Sequence, residues 1–188
     1  LYNGDFSPNV RPVAATRARL WVRAGDLAAA RRWARERGLS PHEDVTYVRE
    51  YEQLTLARIL LAEWALSRNP VTLTDAMHLL ERLREAAEAG GRVASTVEVA
   101  VLTALARDAT GARDQALESL RLALAIAQPE AWVRVIADDA LGLRGILDEV
   151  ERLDGHSHFL AEVRAADGAP AFAAGAPRHG GRGGSPRT

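Results

Sequence analysis

One plan recurs three times along this chain and constrains the fold more than any other feature. A helix-patterned stretch meets a Gly or Asn-Pro break, and a second helical stretch follows with Ala at a fixed place. Those alanines are Ala30, Ala76 and Ala116, spaced 46 and 40 residues apart. Two helices approach closely only where a small side chain lets their backbones meet, so a recurrent Ala predicts a recurrent helix pair. One pair cannot bury its apolar face alone, and stacking the pairs completes a shared core. The expected fold is all-α: a right-handed superhelix of antiparallel helix pairs.

Apolar steps of three and four residues predict helices over 11–24, 27–37, 47–68, 73–89, 96–110 and 113–127. In the first, Val13, Leu20, Trp21 and Ala24 form the inward stripe with the stem of Arg17, and Pro12 sits in the opening turn. Gly25 breaks it and Asp26 caps the next helix. The third carries a doubled stripe, Tyr51, Leu54, Arg58 and Leu61 beside Leu56, Ile59 and Trp64, as an inner helix buried on two sides requires. Asn69-Pro70 reads as its stop. Ser95-Thr96-Val97-Glu98 reads as a capping box opening the fifth helix.

Beyond Pro129 the plan changes. Trp132, Val133, Val135 and Ile136 form a short apolar element, Asp138-Asp139 is read as a helix cap, and helices follow over 140–153 and 157–166. This makes an atypical unit that closes the stack. The repeat domain therefore spans 11–167, between an extended lead-in over 1–10 and a Gly/Arg/Pro-rich stretch over 168–188 that composition marks as a disordered tail or linker.

Composition removes whole classes of function. With 24 basic and 25 acidic residues the net charge is −1, which gives no basic excess for a dedicated nucleic-acid surface. Every basic residue other than His is Arg; the absence of Lys excludes Schiff-base chemistry and the Lys of a phosphate-binding loop. The absence of Cys excludes disulfides, thiolate nucleophiles and Cys-ligated zinc. No apolar run approaches the roughly 18–20 residues of a membrane span, and a cytoplasmic protein without membrane association is expected. An opening Leu1 suggests a segment of a longer chain.

Specific segments then carry a resemblance. Ala104, Ala116, Leu120 and Ala123, followed by Pro129, match the small-small-large-small-Pro order of a divergent tetratricopeptide repeat. The run 6–12 (Phe-Ser-Pro-Asn-Val-Arg-Pro), Gly25-Asp26-Leu27-Ala28, 47–58 (Tyr-Val-Arg-Glu-Tyr-Glu-Gln-Leu-Thr-Leu-Ala-Arg), Leu79-Leu80-Glu81-Arg82-Leu83 and the stretch 131–139 resemble, in the same order, the MalT-like tetratricopeptide domain of large ATP-binding LuxR-family regulators. The resemblance covers about residues 6–166. It implies an effector-sensing and self-associating domain of a transcriptional regulator whose ATPase module precedes it and whose helix-turn-helix module follows it. ATP is thereby implied for the parent chain. No cofactor is implied for these residues, which lack a Gly-x-x-x-x-Gly-Lys-Ser/Thr loop, and DNA is implied only through the module outside them. The alternative is a stand-alone protein-interaction scaffold. An enzyme is not expected.

Polar candidates divide accordingly. Glu50, Glu52, Thr55 and Arg58 fall on one helix at or near three-residue steps, and Arg58 lies among apolar neighbours where a guanidinium needs a partner. They read either as an inter-helix hydrogen-bond network or as a polar patch in the concave groove. In the second reading Glu52, Thr55 and Arg58, joined by Arg92, Glu98 and Arg134, meet a small-molecule effector or a protein partner. Trp21, Trp33, Trp64 and Trp132 read as core before they read as stacking platforms. His156 and His158 at i and i+2 do not share a helix face, so a helix start is favoured over a metal site. His42-Glu43-Asp44 reads as a charged loop. Arg178, His179, Arg182 and Arg187 read as linker before contacts to DNA phosphates.

Overall fold

The computed structural model describes residues 11–155 and 157–167. The expectations for the lead-in, the tail and His156 lie outside those residues. Among the described residues the structure is all-helical: α1 (Val13–Ala24), α2 (Leu27–Glu36), α3 (Glu50–Ser67), α4 (Pro70–Ala89), α5 (Val93–Ala109), α6 (Arg113–Ala127), α7 (Val133–Ala137), α8 (Ala140–Asp154) and α9 (Ser157–Asp167). Helices α1/α2, α3/α4 and α5/α6 are the three hairpins, and α1, α3, α5 and α7 neighbour one another in turn along the inner side. This is the stacked helix-pair fold that the repeated plan predicts. No helix of the described residues is long and apolar enough to cross a membrane.

The recurrent alanines sit where the argument requires them. Ala30, Ala76 and Ala116 are all fully buried. Two apolar clusters make up the core, one spanning α1 to α5 and the other α5 to α9. Helix α5 belongs to both: Val99, Leu102 and Ala106 face the first, while Val97, Val101 and Ala104 face the second. The hairpin turns follow their local chemistry. Gly25 adopts φ 79°, and the Gly25 and Asp26 N–H groups close on the carbonyls of Val22 and Trp21. The Asp26 carboxylate then accepts from the Ala29 N–H at 3.0 Å and starts α2. The connection between α2 and α3 is pinned from below. Arg82 donates to the carbonyls of Pro41 and Glu43, and Gln53 donates to the Asp44 carbonyl at 2.9 Å.

Four local expectations are corrected. Helix α1 buries Ala15 and Ala18, whereas Val13 and Leu20 are 82% and 57% exposed. The inward row is the buried Ala15 and Ala18 with the half-buried Arg19 and Val22, a regular i, i+3, i+4, i+7 series that larger apolar side chains on the opposite face obscured. Asn69-Pro70 does not merely stop α3. Asn69 caps α4 by accepting from the Val71 N–H at 3.0 Å, and Pro70 takes the first helical position, where its missing N–H costs nothing. The capping box does not form, because α5 already begins at Val93, leaving Ser95 and Glu98 free to reach Glu50 and Arg58. Asp139 occupies the N-cap position of α8 but makes no side-chain capping bond. Its carboxylate is turned instead toward α3.

Candidate functional site

Helix α3 is the inner helix of the stack, and its polar residues point in different directions. A helix turns by about 100° per residue, so each three-residue step rotates a side chain back by about 60°. Glu52, Thr55 and Arg58 therefore spread over about a third of the circumference instead of forming one patch. Glu52 faces the α2–α3 connection, where it accepts from Arg37 at 2.8 Å and pairs with Arg49 at 3.5 Å. Thr55 and Arg58 face α1 and α5.

Arg58 is the centre of a buried charge network. Its guanidinium is bidentate to Asp139, with Nε to Oδ1 at 3.1 Å and Nη2 to Oδ2 at 2.7 Å, and its Nη1 binds Glu98. The fork-to-carboxylate match is the strong geometry for a charged pair. Arg19, arriving from α1, holds the other side: Nη1 lies 2.7 Å from Glu98, Nε donates to the Thr55 hydroxyl at 2.9 Å, and the guanidinium lies 3.6 Å over the Tyr51 ring. Two cations and two carboxylates thus neutralise one another while tying α1, α3, α5 and the start of α8 together.

The electrostatics follow from that enclosure. Burial disfavours charge on Arg58, but Asp139 and Glu98 outweigh it and raise its pKa well above the ordinary arginine value. Burial and then the neighbouring Arg58 lower the pKa of Arg19. Burial pushes Glu98 up, yet the two guanidiniums prevail and hold its pKa below the ordinary carboxylate value.

Two members of the network, Arg58 and Asp139, form part of the wall of a groove of about 860 Å³. Its floor is apolar, made by Leu61, Ala62 and Trp64 of α3 with Leu102 and Leu105 of α5. Arg58 and Asp139 face into it, and Gly142 of α8 closes the far side. A methyl group on Gly142 would lie 2.9 Å from a terminal carbon of Leu105, which would have to shift to admit it. The groove is bridged at one end. Arg23 of α1 donates to Asp138 at 2.9 Å and to the Asp167 carbonyl at 2.9 Å, while Arg134 binds the same Asp138 at 2.7 Å and the Ala166 carbonyl at 2.8 Å. The first and last described helices are therefore joined across the inner side.

Of the six groove candidates, the structure brings Thr55, Arg58 and Glu98 into one network, and only Arg58 reaches the groove wall. Arg134 belongs to the bridge. Arg92 lies elsewhere, where its guanidinium and the Ser95 hydroxyl hold the buried Glu50 carboxylate. Trp33 is core, while Trp64 lines the groove. Sequence reasoning missed Arg19, Arg23 and the pairing of Asp139. The signal for Arg19 was its place in the Ala15, Ala18, Val22 row. Among the described residues no group of three or more His, Asp or Glu is arranged to hold a metal ion.

Stacked helix pairs around an amphipathic inner groove, closed by an atypical last unit, define a tetratricopeptide-type repeat domain with a surface suited to a ligand or a partner. Within that class the chain belongs to the MalT-like TPR region family, whose sequence profile matches residues 1–153. No curated protein and no solved structure matches the chain.

Proposed function

We propose that this chain is the effector-sensing repeat domain of an ATP-dependent transcriptional regulator, and that the effector binds in the 860 Å³ groove beside Arg58 and Asp139. Family membership supports the regulator context. One observation carries the sensing role: the charged wall of the groove is also the network joining α1, α3, α5 and α8. A molecule bound against Arg58 touches groups on which four helices depend. Binding shifts an equilibrium between arrangements of the stack only by as much as the ligand prefers one of them, and this wall supplies such a preference. The ATPase and DNA-binding modules of the regulator, outside these residues, would read the outcome. Self-association belongs to the same proposal, with ligand-favoured stacks presenting the surface that meets a second copy.

The test is a thermal-shift screen of metabolites, sugars and organic acids on the folded domain. A specific effector at a hundredfold excess over its Kd adds about 2.7 kcal/mol and raises Tm by several degrees. Ala65→Trp, at an exposed lining position away from the charge network, is expected to abolish the response in the folded domain. A screen without any shift, joined to stoichiometric capture of a protein partner, would replace sensing with the scaffold reading.

A further inference from the structure

Four guanidiniums and four carboxylates line the groove, and the one cation that their pairing leaves over indicates what the groove takes. Arg58 is committed to Asp139 and Glu98, and Arg23 to Asp138 and the Asp167 carbonyl. Asp108, also in the wall, is held at 2.7 Å by Arg113 from outside the groove. Of the two other wall cations, one is loosely paired and one has no carboxylate. Arg144 is 70% exposed and reaches its carboxylate, Asp167, only at 3.9 Å. Arg68 has no carboxylate partner among the described residues; its guanidinium lies 4.3 Å over the Trp64 ring.

Arg68 is also held there by an uncommon backbone. It ends α3 in the left-handed region at φ 53°, a position that glycine fills at the ends of α1 and α8. A side chain is disfavoured in that conformation, and Arg68 adopts it with its guanidinium on the groove rim. Seated over an indole, a guanidinium leaves N–H donors available to receive a carboxylate. Below it lie Trp64, Leu61 and Leu105, an apolar floor without charge.

We propose that the groove binds an amphipathic small-molecule carboxylate, with its anionic head on Arg68 and its aliphatic or aromatic body on Trp64, Leu61 and Leu105. This inference rests on the groove being a ligand site and adds the chemical class of the ligand.

The experiment is calorimetric titration of the domain with octanoate and phenylacetate, alongside octanamide and phenylacetamide, which keep the body and lack the charge. Expected is binding of at least one acid about tenfold or more tighter than its amide, as a charge-assisted contact requires. Arg68→Gln should remove that preference and leave the circular dichroism spectrum unchanged. Ala65→Trp, at an exposed lining position, should weaken acid and amide together. Equal binding of acid and amide, or an acid preference that survives Arg68→Gln, overturns the inference. So does an absence of acid binding to the folded domain. If the metabolite screen then finds a neutral compound whose binding Ala65→Trp blocks, the sensing role stands without the carboxylate. If neither experiment finds a ligand, both fall.

Discussion

At the scale of single residues, Arg58 illustrates how a buried charge becomes indispensable without adding net stability. Its pairing with Asp139 and Glu98 offsets the desolvation of all three groups, and a well-packed apolar replacement of the whole set would fold as well. Removing one partner is a different matter. Arg58→Ala leaves the Asp139 carboxylate enclosed without its cation and Glu98 with Arg19 alone, and a loss of about 3–5 kcal/mol is expected in denaturant unfolding. Glu98 gives a pH signature. Its pKa is depressed in the folded state, so its contribution is complete above the ordinary value of 4.5 and is lost as pH falls below 4.5 through the folded-state value. Unfolding midpoints measured from pH 7 to pH 3 should therefore fall below about pH 4.5, and Glu98→Gln should flatten that fall. The need of Arg58 for a partner was legible in the sequence from its apolar neighbours. The identity of that partner was not. Asp139 lies 81 residues away, and an acid before a helix is equally well explained by capping. Nothing local distinguishes the two uses of the same carboxylate.

At the scale of elements, small residues carried more information than large ones. Ala30, Ala76 and Ala116 gave the hairpins because close helix contact leaves no room for anything larger. Ala76→Leu should therefore overpack α4 against its neighbours and cost about 1–3 kcal/mol or more, read as a lowered unfolding midpoint. In α1 the same rule was overlooked. Ala15 and Ala18 face the core, and the bulkier Val13 and Leu20 drew the inward face to the wrong side. Helix ends were legible where one residue settles the geometry, as at Gly25-Asp26, and misread where two roles compete. Asn69-Pro70 is a good stop and an equally good start. Because Asn69 caps α4, Asn69→Ala should cost about 1 kcal/mol in the same assay. The Ser95 motif failed for a related reason. A capping box requires a free helix start, and α5 begins two residues earlier. Its Ser and Glu then serve neighbouring helices.

At the scale of the whole molecule, the inner groove depends on contacts between the two ends of the repeat domain, and no local sequence pattern reports such contacts. Arg23 and Asp138 are 115 residues apart, and Arg23 and Asp167 are 144 apart. Both charged side chains of the bridge are a third or more exposed, so the pair adds under about 1 kcal/mol to global stability. Its effect should be local. Arg23→Ala is expected to leave Tm nearly unchanged while amide hydrogen exchange accelerates in α9, because the last helix loses its tie to the first. A stack of helix pairs is ordinarily a soft spring, able to stretch and twist along its axis because each unit touches only its neighbours. A clip between the ends converts that spring into a stiffened hoop. Extension under load then has two regimes: stiff while Arg23 holds, compliant after it lets go. A molecule that strengthens or breaks the clip changes the elasticity of the domain, and a module attached to either end would feel that change as tension.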